Sequence, residues 1–183
     1  MTLSKIVVLD RDGVINVDLL TYVTRKEDFI PIKNSLEAIS FLNRNGFKVA
    51  VATNQACIEE NIISDEELLK IHDHMEELLQ SYGGKIEYIA YCPHMADSNC
   101  NCRKPKTGLL KKIEEVLGVS LKNKYFIGDK VSDLIAGYDH GCVPLLIKNG
   151  PYGEKAFKSK NCPPLEHCFN DLMEASKFIV NNS

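Results

Sequence analysis

The chain has 183 residues, 44% of them hydrophobic and 26% charged, with a formal net charge of −3. That length and mix describe a single domain over residues 1–183 with a full core, and the acidic balance speaks against nucleic-acid or membrane-surface partners, which favour a basic face. The opening MTLSKIVVLD has only four consecutive apolar residues, too few for a signal-peptide core or a membrane span, so a cytoplasmic monomer with reduced cysteines is expected.

The first expected strand, KIVVLD (5–10), runs straight into DRDGVIN. Strand side chains alternate, so Asp10 and Asp12 are expected on one side and Arg11 on the other. Two adjacent carboxylates repel unless a cation or a proton lies between them. A calcium loop does not fit: it needs Gly at its sixth position and Glu at its twelfth, and here Gly13 is fourth and Thr21 twelfth. The pattern of NSLEAISFLNRNG (34–46) predicts a helix stopped at Gly46. FKVAVATN (47–54) predicts a strand that carries Thr53 to its end. Ser64 and Glu67 form a capping box that opens the next helix, with Leu68, Ile71, Met75, Leu78 and Tyr82 as its core stripe. His72 and His74 on that helix are too close in sequence to share a ligand.

KIEYIAYC (85–92) predicts a third strand, and the cluster CPHMADSNCNCRKP (92–105) follows it. Cys92, His94, Cys100 and Cys102 make a complete tetrahedral set for Zn²⁺ with no open position, so a zinc there is structural. It would hold the loop 92–102, and with it Arg103 and Lys104, to the precision that catalysis requires. Leu110, Ile113 and Leu117 mark a helix in KTGLLKKIEEVLG (106–118). KYFIGD (124–129) predicts a strand ending at Asp129, and His140 is expected at a helix end, where the dipole favours it. VPLLIK (143–148) is a further strand, NCPPLEHC (161–168) a loop, and LMEASKFIVN (172–181) a last helix. The remaining cysteines, Cys57, Cys142, Cys162 and Cys168, are expected to be buried or inert thiols. Strand–helix alternation implies an α/β fold with a mostly parallel sheet between two helical layers. Ligands in such sheets bind beyond the carboxyl ends of the strands.

In order along the chain, DxDG, Thr53, Lys104 and GDxxxD each follow an apolar strand. This series resembles the haloacid dehalogenase-type phosphatases over roughly residues 5–150. The resemblance implies that Asp10 attacks phosphorus and forms an aspartyl phosphate, and that Asp12 serves as acid and then base. It also implies Mg²⁺ held by Asp10, the Asp12 backbone carbonyl and Asp129, with Asp133 orienting Lys130 or a metal-bound water. Thr53 and Lys104 would hold the phosphoryl oxygens. The added C-P-H…C-x-C-R-K-P pattern is similar to the zinc-containing heptose-bisphosphate and histidinol-phosphate phosphatases, Rossmann-like members without a cap domain. VDLLTYVTRKED (17–28) would then line the mouth, with Asp18, Thr21, Asn54, Gln55, Arg103 and Lys130 on the substrate, a small phosphorylated metabolite.

DRDGVINVD and TNQ match the heptose branch, which implies release of the 7-phosphate of a heptose 1,7-bisphosphate. The short gap between His94 and Cys100 is more like the histidinol branch. A non-catalytic zinc-stabilised binding module is the alternative outside enzymes, but it has no need of Asp12 beside Asp10. One stretch departs from the heptose pattern. Ser-Gly-x-Ala-Arg-Gly is usual after TNQ, whereas this chain reads Ala56-Cys57-Ile58-Glu59-Glu60-Asn61. Acids therefore stand where an Arg is expected.

Overall fold

The computed structural model describes residues 5–183, so the first four residues of the opening stretch lie outside the described residues. The strands are β1 (Ile6–Leu9), β2 (Lys48–Asn54), β3 (Tyr88–Cys92), β4 (Tyr125–Gly128), β5 (Val143–Ile147) and the two-residue β6 (Cys168–Phe169). They form one sheet in the order β3-β2-β1-β4-β5-β6, and every pairing is parallel. The helices are α1 (Ser35–Arg44), α2 (Asp65–Ser81), α3 (Gly108–Leu117), α4 (Val131–His140), α5 (Pro151–Phe157) and α6 (Leu172–Asn181).

Alternation along the buried strands divides the core in two. Val7, Leu9, Val49 and Val51 face α1, α2 and α6, where they meet Leu36, Ile39, Ile71, Met75 and Ile179. Ile6, Val8, Ala50 and Ala52 face the opposite layer and pack on Leu109, Leu110 and Ile113 of α3. Strands buried on both faces explain why they read as unbroken apolar runs. The expected three-layer α/β fold is therefore present, without a cap domain.

Ser64 and Glu67 make the reciprocal capping bonds at the start of α2. The buried stripe of that helix is Leu68, Ile71, His72, Met75 and Leu79, which corrects the expectation of Leu78 and Tyr82. Leu78 is only partly buried and Tyr82 is 43% exposed, because the buried row steps by four from Ile71 through Met75 to Leu79. NCPPLEHC is not wholly loop: it carries a 3₁₀ turn at Leu165–His167 and enters β6 at Cys168. Helix α5 was not foreseen. His140 closes α4 as expected, ahead of Gly141 at φ +82°, and it also pairs with Glu114 at 3.2 Å.

The chain leaves β1 for β2 on one side, and β4 lies on the other side of β1. This is the switch point of the sheet, where a crevice opens beyond the strand ends. Asp10, Gln55 and Asp129 directly follow β1, β2 and β4, so all three stand at that crevice.

Candidate active site

A cleft of about 1180 Å³ opens at this edge, lined among others by Asp12, Asp18, Thr21, Asn54, Gln55, Arg103, Lys104 and Lys130. Asp10 is buried behind the cleft-lining Lys104. Its Oδ1 accepts from the Arg11 backbone N–H at 2.8 Å and pairs with Lys104 Nζ at 2.8 Å. Both donors sit on one oxygen, which leaves Oδ2 for chemistry.

Lys104 is as buried as Asp10. Its ammonium also pairs with Asp133 Oδ1 at 2.7 Å and donates to the Ala52 carbonyl at 2.7 Å, so its charge lies between two carboxylates. Burial works against its charge, but Asp10 and Asp133 more than offset that and hold its pKa above the usual lysine range. Asn54 clamps the Lys104 main chain from both sides: it donates to the carbonyl and accepts from the N–H, each at 3.1 Å. Asn54 was expected on substrate; its amide is spent on placing Lys104.

Asp12 does not follow the strand alternation. Strand β1 ends at Leu9, and Gly13 turns the chain at φ +86°. A Cβ on Gly13 would lie 2.1 Å from Asp129 Oδ2, so only glycine lets the two loops close. With the strand ended, Arg11 swings back onto Asp12. Its Nη2 contacts both carboxylate oxygens at 3.0 Å and its Nε contacts Oδ1 at 3.3 Å, which corrects the expectation that Arg11 points away. Asn16 Nδ2 and Gln55 Nε2 each add a bond to Asp12 at 2.9 Å. Burial alone would raise the Asp12 pKa, but Arg11, Asn16, Lys130 and Gln55 together hold it below the usual carboxylate range. Gln55 Nε2 also donates to Thr53 Oγ1 at 2.8 Å, which ties Thr53 into the same floor.

Asp133 caps the Lys130 backbone N–H at 3.0 Å while its other oxygen goes to Lys104. A Cβ on Gly128 would lie 2.3 Å from the Asp133 Cβ, so glycine there admits this close approach. Asp133 thus steers the Lys104 ammonium and not that of Lys130. Lys130 Nζ instead pairs with Asp18 Oδ2 at 2.8 Å, and the Tyr152 ring lies 4.9 Å below it. Asp18 and Lys130, both expected on substrate, bridge the cleft wall to each other.

The carboxylates of Asp10, Asp129 and Asp133 bring one oxygen each within 4.8 Å of one another. Asp129 Oδ1 is buried with no hydrogen-bond partner among the described residues. Burial pushes the Asp129 pKa well above the carboxylate range; Lys130 opposes this, and Asp10 and Asp133 add to it. An unpaired buried carboxylate oxygen beside another carboxylate fits a hard cation such as Mg²⁺, which takes oxygen ligands. Asp133 has both oxygens engaged, by the Lys104 ammonium and the Lys130 backbone N–H, whereas Asp10 keeps Oδ2 free, so Asp10 and Asp129 remain as the carboxylate ligands. The Asp12 carbonyl accepts no hydrogen bond among the described residues.

The second cluster is Cys92, His94, Cys100 and Cys102, again within 4.8 Å of one another. Cys92 Sγ lies 3.5 Å from His94 Nδ1, 3.9 Å from Cys100 Sγ and 3.2 Å from Cys102 Sγ, and His94 Nδ1 lies 3.2 Å from Cys102 Sγ. A zinc tetrahedron with bonds of about 2.0–2.3 Å has edges of roughly 3.3–3.8 Å, so the four atoms fit that ion. Burial would raise the Cys100 thiol, but backbone N–H groups of Arg103 and Cys102 bring it down to about 7. Arg103 Nη1 donates to the His94 carbonyl at 2.8 Å, which joins its guanidinium to the loop.

The acids of the departing stretch are not themselves in the cleft lining, although Tyr22 and Ser98, which bond to them, are. Glu59 accepts from the Met95 backbone N–H and the Ser98 hydroxyl, and Glu60 accepts from the Tyr22 hydroxyl at 2.6 Å. Together they tie the mouth segment and the cysteine loop to the turn after β2. Sequence reasoning missed the roles of Arg11, Asn16 and His72 in the floor. The available signal for His72 was its place in the apolar row between Leu68 and Met75.

A family model described as HAD-hydrolase-like matches residues 101–175. The D-glycero-beta-D-manno-heptose-1,7-bisphosphate 7-phosphatase of Pseudomonas putida is 38% identical over 176 residues, covering 96% of this chain and 99% of that one. Its counterpart in Pseudomonas aeruginosa is 43% identical over 145 residues, covering 79% and 82%. The crystal structure of D,D-heptose 1,7-bisphosphate phosphatase from B. bronchiseptica, complexed with magnesium and phosphate, superposes with a TM-score of 0.90 at 31% identity, covering 98% and 99%. With these likenesses running nearly the full length of the chain, it belongs to the D-glycero-D-manno-heptose-1,7-bisphosphate 7-phosphatase family of HAD-like hydrolases.

Proposed function

We propose that this chain is a magnesium-dependent phosphatase that removes the 7-phosphate of D-glycero-D-manno-heptose 1,7-bisphosphate. The observation that carries this reading is the Asp10 carboxylate, buried against the cleft-lining Lys104 with both donors on Oδ1. That arrangement leaves Oδ2 free to act as the nucleophile. Its attack forms an Asp10–phosphorus bond and breaks the bond between phosphorus and the C7 oxygen, which takes a proton from Asp12. Water then attacks the aspartyl phosphate, gives its proton to Asp12 and frees Asp10. Lys104 and the Thr53 hydroxyl stabilise charge on the phosphoryl oxygens. Asp10, Asp129 and the Asp12 carbonyl would hold Mg²⁺, which when bound neutralises charge on the carboxylates and the phosphoryl group.

The lowered pKa of Asp12 means that the free protein holds it as a carboxylate. Asp12 must therefore take up a proton from solvent when the substrate binds, favoured by the negative charge of the phosphate beside it, before it can pass that proton to the leaving oxygen. Arg103, Lys106 and Lys130 line the cleft and supply the cations for the remote phosphate. Zinc in the Cys92–His94–Cys100–Cys102 cluster would fix the loop that presents Arg103 and Lys104. Seven cysteines without a disulfide suit a cytoplasmic setting, and no helix is long and apolar enough to cross a membrane.

A comparison of kcat/KM for the heptose bisphosphate and for histidinol phosphate, both with Mg²⁺, tests the assignment. The heptose bisphosphate is expected to lead by more than about tenfold, the scale of one charge-assisted contact to a second phosphate. A lead for histidinol phosphate would overturn the substrate and keep the chemistry.

A further inference from the structure

Arg11 is fully buried, and so is its partner on α2, His72, at 4% exposure. Arg11 Nη1 faces His72 Nε2 at 3.2 Å, while Nη2 spans Asp12 and, at 3.1 Å, Gln55 Oε1. A guanidinium only donates. His72 must therefore turn the lone pair of Nε2 towards it and carry its proton on Nδ1. The ring meets Tyr91 edge-on with centroids 6.0 Å apart, so it also fills core space. The helical pattern calls for an aliphatic side chain between Leu68 and Met75. A leucine would fill the volume but could not accept from Arg11.

From this juxtaposition we infer that His72 is a positioning residue for the acid–base step. It fixes the guanidinium of Arg11, and Arg11 fixes the carboxylate of Asp12. The inference rests on the reading of Asp12 as the proton donor to the leaving oxygen. Three elements converge on that carboxylate: Arg11 and Asn16 beyond β1, Gln55 beyond β2, and His72 one contact further back on α2. His72 lies too deep to meet a substrate, so its effect must pass through Arg11.

The leaving group supplies a readout that a merely structural histidine would not move. A sugar alkoxide needs its proton in the transition state, whereas 4-nitrophenolate leaves without one. Misplacing Asp12 therefore slows the sugar phosphate selectively. The test uses the magnesium-loaded full chain and compares kcat/KM for the heptose bisphosphate and for 4-nitrophenyl phosphate. His72→Leu is expected to lower the first on the order of 10- to 100-fold, part of the 10²–10⁴ that a positioned acid contributes, and to leave the second within about threefold. His72→Gln keeps an acceptor and is expected to restore most of the loss. If His72→Leu does not fold by its thermal melt, His72→Asn, whose acceptor is too short to reach Arg11, takes its place with the same expectation. Equal losses on both substrates, no loss on either, or a His72→Gln as slow as His72→Leu on the sugar phosphate would overturn the inference. Failure of the unchanged chain to hydrolyse either ester would instead overturn the phosphatase reading beneath it.

Discussion

The Asp12 carboxylate receives bonds from Arg11, Asn16 and Gln55, and this crowd separates its role from that of Asp10. In the proposed mechanism one carboxylate is immobilised to manage a proton, and the other keeps an oxygen free to attack. Asp10→Asn removes the nucleophile while preserving the acceptor for Arg11 N–H and Lys104. It is expected to abolish turnover, at least about 10³-fold in kcat, with an unchanged circular dichroism spectrum. His72 carries a separate signature in stability. An unfolded histidine titrates near 6.5, and in the fold burial and then Arg11 push His72 down to about 3. Between those values the unfolded chain binds the proton more readily, so acid favours unfolding. The contribution of the neutral ring is complete above about pH 6.5 and is lost as pH falls towards 3. Between pH 7 and pH 5 this one group costs about 2 kcal/mol. Urea melts at the two pH values should show that extra loss in the unchanged chain and not in His72→Gln. The polar residues at strand ends, Asp10, Thr53 and Asp129, could be read from the sequence because each interrupts an apolar run. The partnership of Arg11 with His72 could not, since it joins residues 61 positions apart and depends on where β1 stops.

At the scale of elements, the loop after β3 carries Lys104 and is held in place by the end of β2 and the turn that follows it. Gln55 N–H bonds the Cys92 carbonyl at 2.7 Å, Asn54 grips the Lys104 main chain, and Glu59 holds the middle of the loop at Met95 and Ser98. The cysteine–histidine set closes the rest. Cys102→Ser should release about one zinc per chain, measured by elemental analysis, and lower both stability and kcat. A protein purified with no zinc would contradict the role assigned to this loop. The ligand spacing was legible because four soft side chains within eleven positions have few other uses. The support from Glu59 was not, since the sequence shows only an acid where the related pattern has a base. Helix α5 was hidden for a simpler reason. It is short, and of its residues only Gly153 and Ala156 are buried, so it carries almost no apolar rhythm. Strand β6 is only two residues long, too brief for alternation to register.

For the whole molecule, the sheet order sets one crevice at the β1 switch point, and every catalytic candidate reaches it from a strand end or from the cysteine loop. The acids at 59 and 60 turn to the loop and to Tyr22 and are not themselves in the cleft lining. They do not attract a second phosphate, which leaves Arg103, Lys106 and Lys130 to do so. Arg103→Ala should raise KM for the bisphosphate by roughly tenfold or more, the worth of a charge-assisted bond, and change KM for a simple monophosphate far less. Equal effects would show that Arg103 does not read the second phosphate. The most direct test of the account is to follow heptose 1,7-bisphosphate by phosphorus NMR as the magnesium-loaded protein acts on it. The account predicts that the 7-phosphate resonance is converted to inorganic phosphate while the anomeric phosphate persists as the 1-monophosphate. Loss of the anomeric phosphate first, or no conversion at all, would contradict it.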